Sequence, residues 1–178
     1  MYEKFGQFID GKWQPSEKKE TYEVINPATE EILGHASKAT PVDVDKALTS
    51  AQKGLEVWKK TSPWKRSSII RKISDLIREK QDVLAKWITL EVGKPLFEAK
   101  AEVGATADIF EWNSEETKRI YGQTVESRFE DTRIHVYYQP IGVVAAMSPW
   151  NFPLVLSGRK ISTALAAGCS VIIKPDVI

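Results

Sequence analysis

The six residues Ser148-Pro149-Trp150-Asn151-Phe152-Pro153 close an apolar run and set an amide side chain between two prolines. Proline fixes its own φ, and Pro153 suits the first turn of a helix, so the backbone around Asn151 is stiffened and its amide can be held in one orientation. A fixed N–H donor can stabilise a developing negative charge, a contribution on the order of 3 kcal/mol where it meets an oxyanion. Local chemistry by itself favours a plainer role, an asparagine turn or cap that merely starts the helix. Two cations follow downstream. Arg159 carries the planar fork that takes a carboxylate bidentately, and Lys174 ends a second apolar run. Their plainer roles are an exposed helix arginine and a solvated lysine closing a strand.

Other reactive residue types point nowhere. The single cysteine, Cys169, lies between Gly168 and an apolar run, with no histidine or cationic pair beside it to lower its pKa, and reads as structural. His35 and His135 are far apart and lack acidic or cysteine partners at metal spacing, so no metal site is expected. The sequence contains no GxGxxG-like phosphate-binding run.

The elements that must position the loop are legible from punctuation and periodicity. Residues 5–33 hold short apolar bursts cut by Asp10-Gly11, Pro15-Ser16 and Asn26-Pro27, which predicts an arm of short strands. Thr40-Pro41 and Ser62-Pro63 each supply a cap and a first-turn proline, and Ile69, Ile70, Ile73, Leu76 and Ile77 form one core-facing stripe on the second helix. A third helix stops at Gly93 before Pro95, and a fourth runs on towards Gly122. "TRIHVYYQP" alternates as a strand ended by Pro140 and reads as an exposed or edge strand. "IGVVAAM" and "SVIIKP" read as buried strands flanking a helix from Pro153 to Ala167, a βαβ unit whose strands are parallel by the crossover rule. In an open α/β sheet, ligands sit beyond the carboxyl ends of the strands, where "SPWNFP" lies.

With 178 residues and a formal net charge of +1, the chain can bury a core and has no global field that favours nucleic acid or an anionic membrane. One cysteine excludes an internal disulfide framework. The polar start "MYEKFGQFIDGKW" has neither a signal-peptide h-region nor a membrane span, and a cytoplasmic protein is expected.

"FIDGKW", "INPATEEIL", "LEVGKP", "PIGVVAAMSPWNFP" and "RKISTALAAGCSVIIKP" occur in an order that resembles the amino-terminal part of the NAD(P)-dependent aldehyde dehydrogenase superfamily, from about residue 8 to Pro175. The resemblance implies an α/β fold whose amino-terminal strands and helices lead into the first βαβ unit of a Rossmann-like cofactor domain, here incomplete. It divides the chain into an arm and helical part (residues 1–122), an oligomerisation-type strand segment (123–140) and the start of the Rossmann-like sheet (141–178). It also implies that Asn151 donates its side-chain N–H to the oxyanion of a thiohemiacetal. Met147, Ser148, Pro149 and Trp150 would line the NAD or NADP cofactor, and Lys174 would hold the adenosine ribose. "EWNSEETKRIYG" and "SGRKISTALAAGC" look like the succinate-semialdehyde dehydrogenase branch, which implies that Arg159 pairs with the substrate carboxylate; glutarate-semialdehyde relatives would look similar.

The chain also departs from that pattern. Thr163 replaces the proline usual in "PALAAG", and Asp176-Val177-Ile178 replaces a small polar residue, glutamate and Thr-Pro. The glutamate that often bonds the ribose hydroxyls would match Val177, which leaves NAD against NADP open. The family's catalytic cysteine and general-base glutamate belong to a later segment, so the 178-residue chain alone is expected to be inactive. The resemblance implies a small-molecule aldehyde substrate, no nucleic-acid or membrane partner, and a homo-oligomer at full length. The alternative is a truncated paralogue that acts as a non-catalytic assembly module for full-length subunits.

Overall fold

A computed structural model describes residues 6–176. The amino-terminal arm is two hairpins. In the first, β1 (Gln7–Ile9) and β2 (Lys12–Gln14) are joined by Asp10 and Gly11, both at positive φ, the two-residue geometry that matches strand twist. In the second, β3 (Thr21–Ile25) pairs antiparallel with β4 (Ile32–Ser37), and Asn26 Oδ1 accepts from Ala28 N at 3.0 Å to start the turn.

Helix α1 (Pro41–Trp58) opens on a capping box in which the Thr40 hydroxyl and the Asp43 carboxylate serve each other's backbone N–H. Asp43 also accepts from Glu17 N at 3.1 Å, which fastens the strand arm to the helix. Burial opposes the charge on Asp43, but the backbone donors of Thr40 and Glu17, the Thr40 hydroxyl and Lys46 outweigh it and hold its pKa below the usual carboxylate value. Helix α2 (Pro63–Glu79) starts on the Ser62 cap, and α3 (Gln81–Val92) stops at Gly93, whose φ of 72° is left-handed. The long α4 (Leu96–Glu116) ends in a 3₁₀ turn, Thr117–Arg119.

A hairpin of β5 (Gln123–Glu126) and β6 (Arg133–Val136) follows, exposed along both strands. Then come β7 (Val143–Met147), α5 (Pro153–Ala166) and β8 (Ser170–Lys174), with β7 and β8 parallel and Met147 opposite Lys174. The core lies between helices. Ile70, Phe110 and Ala166 join α2, α4 and α5, while Ala85, Ile88, Ala99 and Val103 join α3 to α4. A Cβ on Gly158 would stand 2.7 Å from Thr106 Cγ2 and 3.2 Å from Phe110, so a glycine there lets α5 lie directly on α4. Trp58 Nε1 donates to Leu165 O at 2.9 Å and ties α1 to the end of α5.

Three expectations need correction. The stripe on α2 is narrower than its isoleucine and leucine pattern suggests. Ile70 is fully buried and Ile73 and Ile77 pack against the core, but Ile69 and Leu76 face outward because α4 and α5 cover one side only. β6 ends at Val136 rather than near Pro140, because its partner β5 runs out at Gln123. β7 and β8 are not buried strands among the described residues: each pairs only with the other, and Met147 and Ile173 are exposed. No described helix is long and apolar enough to cross a membrane.

Candidate active site

The carboxyl ends of β7 and β8 meet where Met147 faces Lys174, and the chain leaves β7 into the loop Ser148–Phe152 before α5. Ser148 N donates to Lys174 O at 3.3 Å, which extends the strand pairing by one residue. The structure therefore brings Met147, Ser148, Pro149, Trp150, Asn151 and Lys174 to one edge. Arg159 stands apart, exposed on α5, about 9 Å along the axis from Pro153 at roughly 1.5 Å per residue. The match at Val177 lies outside the described residues.

Loop conformation is set from outside the loop. Phe152 occupies the cap position of α5 at φ −140° and ψ 71° and supplies no side-chain cap. That role falls to Glu102, from the middle of α4. Its Oε1 accepts from Leu154 N at 2.9 Å and Val155 N at 3.1 Å, satisfying two of the helix's first-turn donors with a negative charge at the positive end of its dipole. Its Oε2 accepts from Lys94 Nζ at 2.5 Å. Lys94 in turn donates to Asn151 O at 3.0 Å and lies 3.7 Å over the Phe152 ring. The pair is withdrawn from water, with the Glu102 side chain 0% and the Lys94 side chain 9% exposed. At the other end of the loop, Lys160 Nζ donates to Met147 O.

The side-chain amide of Asn151 is outside this network. Residue 151 is exposed, and no described residue hydrogen-bonds its side chain; only its carbonyl is used. The plainer role for Asn151, capping the helix, is thus carried by Glu102.

Sequence reasoning missed Glu102 and Lys94. The signal was present: Ala99, Glu102, Val103, Thr106, Ala107 and Phe110 fall on one helical face and are all buried, so Glu102 is a carboxylate on an apolar stripe. A charge there needs a partner.

Comparison with known proteins places this geometry. The sequence profile described as the aldehyde dehydrogenase family matches residues 13–177. The chain belongs to the aldehyde dehydrogenase family. It is 44% identical over 168 residues to a glutarate-semialdehyde dehydrogenase of Pseudomonas aeruginosa, covering 94% of this chain and 35% of that protein. It is 42% identical over 167 residues to the NADP(+) succinate-semialdehyde dehydrogenase of Escherichia coli, again covering 94% of this chain and 35% of the relative. Among solved structures, an E. coli NADP-dependent enzyme superposes with a TM-score of 0.93 at 42% identity, over 94% of this chain and 35% of that one. Betaine aldehyde dehydrogenase from Staphylococcus aureus, in complex with NAD+, superposes with a TM-score of 0.94 at 33% identity, over 97% and 36%. The chain is the amino-terminal portion of an aldehyde dehydrogenase fold and spans about a third of the length of the curated relatives it matches.

A nicotinamide cofactor is what the family implies, and the strand-end edge fits one. Ser148 Oγ is buried without a hydrogen-bond partner among the described residues, beside the exposed faces of Met147 and Trp150 and with Lys174 across the sheet. An orphaned hydroxyl next to an apolar ledge and a cation suits a ligand with a planar ring and a polyhydroxylated, anionic remainder.

Proposed function

We propose that this segment supplies the oxyanion donor and part of the cofactor edge of a dehydrogenase that oxidises a carboxylated semialdehyde, succinate or glutarate semialdehyde, to the acid. The observation that carries the reading is the free Asn151 amide on a loop whose own backbone is held by Lys94 and Glu102. When a thiolate adds to an aldehyde carbonyl, the oxygen gains charge, and a donor already fixed in place stabilises that charge without reorganising. NAD or NADP, when bound, supplies the hydride acceptor. In this reading Ser148, Pro149 and Trp150 line the nicotinamide side, Met147 belongs to the same cofactor edge, Lys174 holds the adenosine ribose, and Arg159 takes the distal carboxylate of the substrate. Cys169, the chain's single cysteine, is buried and is not the nucleophile. Residues 1–178 alone therefore give no turnover. The proposal includes a cytoplasmic location and a homo-oligomeric complete enzyme, with no nucleic-acid or membrane partner.

The test is a completed subunit, in which residues 1–175 are followed by the remaining two-thirds of the E. coli succinate-semialdehyde dehydrogenase. It should reduce NAD(P) with succinate or glutarate semialdehyde, and Arg159→Ala should raise KM for these while sparing an aldehyde without a carboxylate. Equal loss on both substrates would remove Arg159 from the role.

A second reading is favoured by the β5–β6 hairpin and the two residues after it, where Val125, Ile134, Val136, Tyr137 and Tyr138 are all exposed. An exposed apolar hairpin suits pairing with another subunit, so the chain could serve as an assembly module without chemistry of its own. Recovery of full-length dehydrogenase subunits on the 178-residue chain, lost on Ile134→Lys, would support it; recovery of none would count against it.

A further inference from the structure

The Lys94–Glu102 pair is assigned to no role by the resemblance or by the comparisons, yet it is the most completely buried ion pair among the described residues. Each of its groups is shared between the pair and the loop. One carboxylate oxygen holds the first amides of α5, the other holds Lys94, and Lys94 reaches across to the Asn151 carbonyl and the Phe152 ring. Gly93 permits this by turning the chain out of α3 in a left-handed conformation, so that the next side chain points back at α4. A charged pair placed here is costly to desolvate and would be a poor choice for stability alone. Its geometry suits a different purpose, which is to fix where α5 begins and how the preceding residue is turned.

We propose that Glu102 and Lys94 are positioning residues that lock the Trp150–Phe152 backbone and so aim the Asn151 side chain, with Glu102 fixing the helix start and Lys94 fixing the loop. The functional consequence rests on the oxyanion reading of Asn151, but the locking itself does not. The two residues have separable effects. Removing Glu102 frees both the helix start and the loop, because Lys94 loses its anchor. Removing the Lys94 ammonium frees the loop and leaves the two capped amides in place.

The experiment is NMR on the 178-residue chain with Glu102→Ala, Lys94→Met and, as an exposed ion-pair control, Asp82→Asn. It reads order parameters for residues 150–152 and the Asn151 side chain, and hydrogen exchange at Leu154 and Val155. In the parent chain the loop should show order parameters near about 0.85, falling below about 0.6 in both Glu102→Ala and Lys94→Met. Exchange at Leu154 and Val155 should accelerate about tenfold or more in Glu102→Ala only. Ile70 and Phe110 amides should keep their protection relative to the control. Where the alanine variant fails to fold, Glu102→Gln keeps an oxygen for the two amides but drops the charge that holds Lys94, and should give a mobile loop with Leu154 and Val155 still protected. An ordered loop in Lys94→Met, or acceleration spread evenly over the helical core, would overturn the proposal. Neither result depends on turnover, so the locking can fail while Asn151 still proves to be the oxyanion donor, and the reverse.

Discussion

The α4–α5 contact and the β7–β8 pair share α5 as a link, since α5 connects the two strands, and differ in how much of their surface is satisfied. Between the helices, Gly158 lies against Thr106 and Phe110, the Asn113 amide donates to Ser162 Oγ at 3.0 Å, and Glu102 has every contact a carboxylate needs. In and around the strand pair, Met147 is 68% exposed and Ile141, just before β7, 91%, while Ser148, just after β7, and Ser170 carry buried hydroxyls with no partner among the described residues. The loop that bears Asn151 spans the boundary: its backbone is held from the helical side, while its side-chain amide has no partner among the described residues. On the proposed reading, positioning and recognition are divided between the two regions, and substitutions should separate them.

The largest effect is expected at Glu102. Glu102→Ala strands Lys94 in a buried site and opens the start of α5, which should cost about 3–5 kcal/mol in denaturant unfolding. A loss below about 1 kcal/mol would mean the helical side is not the rigid partner. Gly158→Ala comes next. A Cβ at 2.7 Å from Thr106 Cγ2 has to push α5 off α4, for about 1–3 kcal/mol, read as a lower midpoint with unchanged slope.

Asp43 lies further from the boundary, and Asp43→Asn should cost about 1 kcal/mol near neutral pH through the lost capping box. The sign with pH follows from its lowered pKa. The contribution is fully present above the ordinary value of 3.8 and is lost as pH falls through the lower folded value, so the variant and the parent should converge in acid. The smallest effect belongs to the open side: Ile141→Ser, at a residue that touches almost nothing, should shift stability by no more than about 0.5 kcal/mol. A large loss there would erase the contrast between the two regions.

How much of this was legible follows the same boundary. Helix starts at Thr40-Pro41 and Ser62-Pro63, the stop at Gly93, the Asp10-Gly11 turn and the parallel order of β7 and β8 are all local or topological signals, and each is present in the fold. The strand β5 falls inside the expected 123–140 strand segment, but its own bounds were not legible because Gln123–Glu126 has no buried face to impose a pattern. The buried character of "VVAAM" and "SVIIK" was misjudged because apolar runs report the environment a strand is suited to, whereas burial requires neighbours. Asn151 could be singled out from its prolines, but the group that frees its amide lies 49 residues earlier in sequence, as the sequence numbers of Glu102 and Asn151 show. Only the packing of α4 on α5 brings them together.

The central claim is that Asn151 is a preorganised oxyanion donor, and the most direct test is the turnover number of Asn151→Ala in the completed subunit with saturating succinate semialdehyde. If Asn151 is that donor, kcat should fall about 10²–10³-fold with KM for the aldehyde little changed. An unchanged kcat in a folded, cofactor-binding variant would contradict it and leave the loop a structural turn.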